Sequence, residues 1–486
     1  MNIVEGETMA DDNTTAYGSA ADEAPASVEG PSGFDFRGLD VSNTTAAPDS
    51  GKQGKTKTSG KDAKDTKDAK SKADKDAKSA KTKGDKGKDV KSAKSKTAAK
   101  ETAAKDATAT GGDTGDTASD GGDLTSLPLL FRPITLRGLT VRNRIWLPPM
   151  DTYSAFAQDG RPTPFHYQHY VSRAMGGFGL VIAEATAVAP EGRISPHDVG
   201  LWADWQIDSW RWIVDAIKET GAAAAIQLNH AGRKGSTGCF GLGYEHQTVP
   251  EEAGGWQTVA PTTAPFGGYA APRALSVDEI HGLVGAFAAA AGRAVAAGFQ
   301  AIEIHAAHGY LISQFLDPLV NTREDEYGGG FEGRIRFLLE VADAIRGAIP
   351  DDMPLLVRVS ATDWAAGGWD LDQTVALAQI LKLHGVDLVD VSTGGIVAGV
   401  TVPVKADYQV PFSAQVRKRA DVPVTAVGLI TKPKQAEKVL AKGRADAVEI
   451  GRAALRDPYW PLRAADKLGV PAEKAPYPQQ YVRGAY

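Results

Sequence analysis

The chain has 486 residues, which allows one large domain with extensions or two to three ordinary domains. Its formal net charge of −6 hides a sharp compositional split near residue 125. The single cysteine, Cys239, excludes an intramolecular disulfide and a four-cysteine zinc or iron–sulfur site, and no metal site is expected.

Residues 1–125 form a segment of biased composition. Residues 1–49 carry a net charge of about −9, whereas residues 52–105 hold 19 Lys against 8 acidic residues. Between residues 50 and 125 there is no aromatic residue, so little there offsets the entropy of ordering the chain, and we predict disorder for 1–125. A solubilising extension is the favoured interpretation. A Lys-rich arm that contacts nucleic acid is the less favoured one, because aspartates separate the lysines and weaken phosphate binding.

The sequence shows neither a secretory leader nor a transmembrane run. The N-terminus is acidic, and no run of about 18 apolar residues is apparent. We therefore expect a soluble, cytoplasmic protein without a membrane partner.

Beyond residue 126 the sequence alternates short apolar runs with helical patterns. The apolar runs lie at 144–147, 179–183, 223–227, 301–304, 355–359, 386–391, 423–427 and 447–450. Helical patterns between them include 277–297, 331–347, 373–384 and 432–442, the first with Ser276 and Glu279 in a capping-box pattern. Eight such units predict an α/β fold, a (β/α)8 barrel over 126–486. A doubly wound open sheet is the alternative, but no G-x-G-x-x-G follows the first strand.

A (β/α)8 barrel gathers its chemistry at the C-terminal strand ends. The fourth apolar run is followed at once by His305, His308 and Tyr310, whose side chains can hydrogen-bond a carbonyl oxygen and transfer a proton. An isolated histidine would more often be structural, but this cluster leaves the end of one strand.

The last two predicted strands end in glycine. Gly428 follows the seventh run, and Gly451 with Arg452 follows the eighth. Strand–Gly–helix junctions present free backbone N–H groups, so two adjacent junctions with an arginine favour a phosphate site over plain turns.

Many ordered motifs carry a family resemblance. They lie at residues 142–145, 149–150, 163–166, 184–188, 230–234, 305–311, 323–329, 357–360, 451–452 and 455–458. Together they resemble the old yellow enzyme family, specifically its thermophilic-like branch of FMN-dependent ene-reductases. The resemblance covers residues 129–486.

The resemblance implies roles for the strand-end residues. Gln227 would bind the pyrimidine edge of FMN, and Arg358 would lie where negative charge develops on reduction. Arg452 would bind the phosphate as a charge-assisted fork, together with two glycines. The cofactor-binding residues that the resemblance implies are Pro148, Pro149, Met150, Asp151, Ala185, Gln227, Arg358, Gly428, Gly451 and Arg452.

It also implies the catalytic and substrate-binding residues. His305 and His308 would bind the carbonyl oxygen of an α,β-unsaturated substrate, and Tyr310 would donate a proton to its α-carbon. Tyr153 would flank the substrate. Arg483 would reach the active site of a neighbouring subunit, which predicts a homodimer or homotetramer.

The chain departs from the family pattern at Asp151. Members of this branch commonly have cysteine directly after the Pro-Met pair. A carboxylate about 5 Å from the reduced flavin would repel it by ~3 kcal/mol at an effective dielectric near 20, or roughly two pKa units. We expect harder flavin reduction, a protonated Asp151 or an offsetting cation. The hypothesis is that Asp151 binds a polar substrate group or serves as an extra acid.

A second departure is an insertion at about 235–273, which would overhang the active face. It is either a lid that shapes the substrate pocket or a passive surface loop.

The predicted activity is FMN-dependent reduction of the C=C bond of α,β-unsaturated carbonyl compounds, with NADPH or NADH as reductant. One alternative is a related flavin barrel that acts as a dehydrogenase or oxidase on a cyclic ketone. Another is a flavin-binding scaffold.

Overall fold

The computed structural model describes residues 124–239 and 243–486. Its strands are β1 Ile134–Leu136, β2 Leu139–Val141, β3 Ile145–Leu147, β4 Leu180–Ala187, β5 Ala223–Asn229, β6 Val259–Ala260, β7 Arg273–Ala274, β8 Ala301–Ala306, β9 Leu355–Ser360, β10 Leu388–Ser392, β11 Val424–Ala426 and β12 Ala447–Glu449. Its α-helices are α1 Pro164–Met175, α2 Ile207–Glu219, α3 Val277–Ala297, α4 Leu311–Leu316, α5 Phe331–Ala348, α6 Leu371–Leu383, α7 Val410–Ala420, α8 Pro433–Ala441, α9 Arg452–Arg456 and α10 Trp460–Lys467.

Eight parallel strands close into one barrel, in the order β3-β4-β5-β8-β9-β10-β11-β12. Helices follow the strands and pack their apolar sides on the barrel's outer wall, so the main core lies between strands and helices. The prediction of a (β/α)8 barrel is confirmed. Each of the eight predicted apolar runs overlaps one barrel strand.

A hairpin covers the N-terminal end of the barrel. Strands β1 and β2 pair antiparallel, and Leu136 and Val141 share a buried cluster with Trp146, Leu180 and other bases of the barrel strands. This apolar plug fills one mouth of the barrel, so the opposite, C-terminal mouth is left for polar chemistry.

Helix α3 begins and ends as the sequence predicts. Ser276 Oγ accepts from the Glu279 backbone N–H at 3.3 Å, and Glu279 Oε2 accepts from the Ser276 N–H at 2.8 Å. This capping box satisfies two otherwise free N–H groups. By length and composition alone the helix could cross a membrane, which differs from the expectation that the chain has no such run. It packs between α2 and α5 on the barrel wall.

The predicted tail, residues 1–125, falls outside the described residues except for its last two. Leu124 and Thr125 belong to a short 3-10 turn, Leu124–Ser126, so the described structure includes two residues before the predicted boundary at 126.

Strand β4 is irregular where it reaches the C-terminal mouth. Its pairing with β5 shifts register between Ala183 and Thr186, so Glu184 and Ala185 lie in a bulge. A bulge changes the direction of side chains at the end of a strand, and here it places a buried carboxylate next to the loop after β3.

Candidate active site

Two cavities open among the loops at the C-terminal mouth. The first, which we call the glycine-rich cavity, has a volume of about 250 Å³. It is lined by Pro148, Pro149, Met150, Arg358, Ser392, Tyr408, Gln409, Val427, Gly428, Leu429, Ile430, Thr431, Glu449, Gly451, Arg452 and Ala453. The second, which we call the tyrosine pocket, has a volume of about 220 Å³. It is lined by Tyr153, Ile194, Lys234, Thr237, Gly238, Cys239, Glu245, His246, Tyr269 and Tyr310.

The backbone of the glycine-rich cavity is shaped for close approach by a ligand. Gly428 has φ +115°, which an L side chain rarely adopts, and Leu429 follows with φ +53°. Gly451 packs beside Met150 and Pro148. Arg452 is exposed at the rim and Arg358 is buried at the floor, so the cavity carries a cation at each end.

Three buried carboxylates surround Arg358. Its Nε lies 2.7 Å from Asp390 Oδ2, and its Nη2 lies 3.4 Å from Glu449 Oε2. Glu303 completes the group, with one oxygen of each carboxylate within 4.8 Å of the others. Burial alone would lower the pKa of Arg358, but the three carboxylates, Asp390 foremost, raise it above its usual value. Arg358 therefore stays charged.

His305, His308 and Tyr310 stand together at the end of β8. The ring centroids of His305 and His308 are 5.1 Å apart, and those of His305 and Tyr310 are 4.9 Å apart. Both pairs are close to perpendicular, at 86° and 82°. Tyr310 lines the tyrosine pocket, and Ser392, which contacts His308 Nε2, lines the glycine-rich cavity, so the three rings lie between the two cavities.

Hydrogen bonds fix which imidazole nitrogens carry protons. The Ala307 backbone N–H donates to His305 Nδ1 at 3.2 Å, so the ring proton is on Nε2. Gln409 Nε2 donates to Ser392 Oγ, which lies 2.7 Å from His308 Nε2. With the Ser392 hydroxyl assigned as the donor to His308 Nε2, the His308 ring proton is on Nδ1.

Both imidazoles are neutral at physiological pH. Burial lowers the pKa of His305 well below its usual value, and the neighbouring His308 and Arg358 lower it further. Burial likewise lowers the pKa of His308, with Arg358 and Lys234 adding to the effect. Neutral rings that each keep one N–H can donate hydrogen bonds without placing a buried charge in the site.

A tight turn holds His308 in place. His308 itself has φ +59°, and its carbonyl accepts from Lys234 Nζ at 2.8 Å. Gly309 (φ +74°) and Gly395 (φ +103°) are packed against each other. A non-glycine residue held in the left-handed region beside such a contact indicates strain kept for the site.

Gly309→Ala should therefore destabilise the protein by more than about 1 kcal/mol. The added Cβ would lie 2.2 Å from the carbonyl oxygen of Gly395, and the required φ of +74° disfavours alanine. Urea unfolding measures the change. Gly285→Ala is the matched control: it lies inside α3 with no atom within 4 Å of the added Cβ, and it should stabilise by about 0.5–1 kcal/mol. Equal shifts in both variants would contradict the strained turn.

The Tyr310 phenol keeps its proton. Burial raises its pKa well above the usual value, and the nearby Asp151 carboxylate raises it further. Lys234 Nζ lies 4.9 Å above the Tyr310 ring. Burial and the adjacent Arg233 lower the pKa of Lys234 to about 8, although Asp151 opposes this shift.

Asp151 belongs to a second group of acids. Burial of its carboxylate raises its pKa to about 7, and Glu184 raises it as well, whereas the Ala185 backbone amide and Arg358 lower it. Burial and then Asp151 raise the pKa of Asp198 well above its usual value. The Asp151 carboxyl group therefore keeps its proton to a higher pH than an exposed aspartate does.

Glu184 fixes the loop that carries Asp151. Its carboxylate accepts from Thr152 N and Oγ1 and from Tyr170 OH, and it lies 3.1 Å from His166 Nε2. These hydrogen bonds join the loop after β3 to α1 and to the bulge of β4.

The structure brings most of the predicted site residues together. Seven of the predicted cofactor residues line the glycine-rich cavity: Pro148, Pro149, Met150, Arg358, Gly428, Gly451 and Arg452. Tyr153 and Tyr310 line the tyrosine pocket and pack against the buried cluster that contains Ala185. Gln227 is buried in the barrel and donates to Glu303 Oε1 at 2.7 Å.

Arg483 lies apart from the other predicted residues. It is exposed on the C-terminal 3-10 segment Gln479–Gly484. Within the described part of this chain it lines neither cavity.

Several polar residues at the site escaped the sequence analysis. The acids of the barrel interior had a signal: each stands inside an apolar strand, where a charged residue needs a partner. Lys234 had a weaker signal, because the sequence marks it only as part of the motif at 230–234. The missed residues are Glu184, Asp198, Lys234, Glu303, Asp390, Ser392, Gln409 and Glu449.

Comparison with known proteins identifies the family. The model of the NADH:flavin oxidoreductase / NADH oxidase family matches residues 129–470. An NADPH dehydrogenase of Geobacillus thermodenitrificans is 47% identical over 357 residues, which cover 73% of this chain and 98% of that protein.

Solved structures agree. The old yellow enzyme homologue from Zymomonas mobilis superposes with a TM-score of 0.60 at 31% identity, covering 72% of this chain and 97% of its own. Morphinone reductase gives a TM-score of 0.59 at 30% identity, covering 71% and 91%.

The chain belongs to the NADH:flavin oxidoreductase / NADH oxidase family and is an oxidoreductase of the old yellow enzyme type. Its cofactor is FMN, with a reduced nicotinamide nucleotide as the electron source. The glycine-rich cavity fits such an anionic cofactor: it has two arginines, Arg358 at its floor and Arg452 at its rim, and a backbone opened by Gly428.

Proposed function

We propose that this protein uses NADPH to reduce the C=C bond of α,β-unsaturated carbonyl compounds. The observation that carries the proposal is the meeting of two neutral imidazoles and a protonated phenol between the two cavities. That set can bind a carbonyl oxygen and deliver a proton, and it has no ionised base of its own.

The imidazoles bind and polarise the substrate carbonyl. His305 Nε2–H and His308 Nδ1–H are the donors that their other hydrogen bonds leave available. Donation to the carbonyl oxygen stabilises the negative charge that develops there as the conjugated double bond is attacked. Because the turn at Gly309 fixes His308, the donors need little reorganisation.

The glycine-rich cavity is the proposed place for FMN. FMN bound there would supply the hydride that adds to the β-carbon of the substrate. Gln227 and Arg358 would contact the pyrimidine end, and the residues proposed to hold the rest are Pro148, Pro149, Met150, Asp151, Ala185, Gly428, Gly451 and Arg452. Arg452 and the two glycines would hold the phosphate.

Tyr310 donates the proton that completes the reduction. Its phenol O–H transfers the proton to the α-carbon, and solvent replaces it. Tyr153 closes the other side of the tyrosine pocket. The insertion contributes Thr237, Cys239 and Tyr269 to the same wall, which supports a role in shaping the substrate pocket.

The choice of NADPH, the assembly and the location are further parts of the proposal. Relatives named NADPH dehydrogenase at about half identity favour NADPH over NADH. The exposed position of Arg483 is compatible with a homodimer or homotetramer in which it reaches a neighbouring subunit's pocket. A cytoplasmic location follows from the sequence prediction.

Asp151 predicts a pH dependence. Its pKa of about 7 is raised from the usual value, so its carboxylate gains charge as the pH rises through about 7. That charge opposes the arrival of electrons on the flavin, and the rate of flavin reduction by NADPH should fall over pH 6–8. In Asp151→Asn the fall in the rate of flavin reduction between pH 6 and 8 should disappear. Stopped-flow measurement of both proteins checks it, with Asp151→Cys as the comparison that restores the thiol; an unchanged profile in Asp151→Asn would refute the role.

The overall proposal is tested with purified protein. A yellow product that NADPH bleaches without oxygen and that 2-cyclohexenone reoxidises is the expected result. A colourless protein would overturn the proposal in favour of a scaffold. A reduced flavin that reacts with oxygen but with no enone, maleimide or nitro compound would overturn it in favour of an oxidase.

A further inference from the structure

Three acidic side chains occupy the inside of the barrel beneath the glycine-rich cavity. Glu303 on β8, Asp390 on β10 and Glu449 on β12 are 0%, 0% and 1% exposed, and we call them the carboxylate cluster. One oxygen from each lies within 4.8 Å of the others. Acids this deeply buried need cations, donors or protons.

The described residues provide one guanidinium for three carboxylates. Arg358 pairs with Asp390 and Glu449, and the remaining contacts of the cluster are neutral: Gln227 donates to Glu303, and Thr425 donates to Asp390. If all three acids were ionised, two negative charges would be uncompensated in the interior. Such a state is costly, so the cluster retains protons.

Glu303 and Glu449 are the acids of the cluster whose pKa values are raised. Burial and then the Asp390 charge raise the pKa of Glu303 to about 8, although Arg358 lowers it. The same two causes raise the pKa of Glu449 well above its usual value. Glu303 Oε2 and Glu449 Oε1 have no hydrogen-bond partner among the described residues, so each has an oxygen free to carry a proton.

The cluster touches the residues that face the cofactor. Glu449 and Arg358 line the glycine-rich cavity, and Glu303 accepts from Gln227. A change of charge in the cavity therefore changes the electrostatic energy of the cluster directly. The spacing of the three acids would suit a metal ion, but Arg358 already supplies a cation to two of them.

We propose that the carboxylate cluster is a proton store that takes up one proton when the bound flavin is reduced. Reduction of bound FMN would take up two electrons and one proton; above about pH 8, where Glu303 is ionised, its carboxylate would bind a second proton from solvent. The added negative charge in the cavity is thereby offset within the barrel. Glu303 and Glu449 are positioning residues in this scheme, because they act through Arg358 and Gln227.

Other titrating groups face the same region and must be separated from the cluster. Asp151, in the loop after β3, and Lys234, in the tyrosine pocket, have pKa values of about 7 and about 8. His305 and His308 are neutral, since burial lowers the pKa of each. Variants of the first two groups therefore serve as controls.

The test is the pH dependence of the flavin midpoint potential, measured by dye-coupled redox titration of the holoenzyme without substrate. Each proton taken up with two electrons lowers the potential by about 30 mV per pH unit. We expect the slope to steepen from about 30 toward about 60 mV per pH unit above pH 8, where Glu303 is ionised in the oxidised enzyme. A proton lost from the reduced flavin itself would give the opposite curvature.

Glu303→Gln should remove this change of slope, which we call the break, and Glu449→Gln should move it to another pH. Asp151→Asn and Lys234→Arg should keep it, because neither changes the cluster. Glu340→Gln, on the outer face of α5, is the matched control for an acid-to-amide change. Because Asp151 can itself take up a proton near pH 7, the deciding comparison is made in the Asp151→Asn background: a straight plot there, or a change of slope above pH 8 that survives Glu303→Gln, overturns the inference. A protein that binds no FMN would instead overturn the proposed function.

A second readout uses the apoprotein. Glu303 has a folded pKa above its unfolded one, so its contribution to stability is present below about pH 4.5 and is lost as the pH rises through about 8. The melting temperature of the wild-type apoprotein should fall between pH 6 and 9, and Glu303→Gln should flatten that fall. Equal pH dependence in both proteins counts against the cluster as the holder of the proton.

Discussion

Tyr310→Phe is expected to slow reoxidation of the reduced enzyme by an enone by about 10²- to 10⁴-fold. The variant keeps the ring that packs against His305 but lacks the O–H that supplies the proton. Flavin reduction by NADPH should be little changed, because that half-reaction needs no proton on carbon. Stopped-flow spectroscopy of the two half-reactions measures the split.

The control for Tyr310 is another buried phenol. Tyr327→Phe removes an O–H that donates to Glu340 on the outer wall, and it should leave both half-reactions unchanged. Lys234, with its pKa of about 8 and its ammonium over the Tyr310 ring, is the competing proton donor. If Lys234→Met stops reoxidation while Tyr310→Phe does not, the proton comes from the lysine and the assignment to Tyr310 is wrong.

Arg358→Met should destabilise the protein by about 3–5 kcal/mol and abolish FMN binding. The substitution leaves the carboxylate cluster without its cation and also removes positive charge from the floor of the glycine-rich cavity. The cost should be larger at pH 9 than at pH 6, since Glu303 ionises as the pH rises through about 8, its raised pKa. Urea unfolding and flavin fluorescence measure the two effects.

A double variant separates lost charge compensation from lost packing. Adding Asp390→Asn to Arg358→Met removes the charged acid nearest the guanidinium, and it should recover part of the stability but not the FMN. Arg358→Lys keeps a positive charge but lacks the planar pair of donors, and its stability should lie between those of the wild type and Arg358→Met. If Arg358→Met is as stable as the wild type at pH 9, the cluster does not depend on Arg358.

The fold was readable from the sequence because its signals are local and repeated. Short apolar runs separated by helical patterns marked all eight strands, and Ser276 with Glu279 marked the start of α3. The grouping of His305, His308 and Tyr310 was readable for the same reason, since six residues at one strand end must lie near each other. The family resemblance at 129–486 is confirmed by the match over 129–470.

The pairing of distant acids was not readable in this way. Glu303, Asp390 and Glu449 lie on β8, β10 and β12, and only closure of the barrel brings them around Arg358. The bulge in β4 that places Glu184 beside the Asp151 loop has no sequence signal of its own. Strand register and closure, which are long-range properties, decide these contacts.

The reaction itself is tested most directly by the position of isotope in the product. The holoenzyme would be reduced with NADPH that carries deuterium at the transferable position and then mixed with 2-cyclohexenone in ordinary water; the reverse labelling uses D₂O. If the flavin hydride adds to the β-carbon, labelled NADPH should give cyclohexanone with deuterium at the β-carbon. If Tyr310 protonates the α-carbon, the reaction in D₂O should give deuterium at the α-carbon. Label at the carbonyl carbon, in an alcohol product, would contradict the proposed roles of His305, His308 and Tyr310.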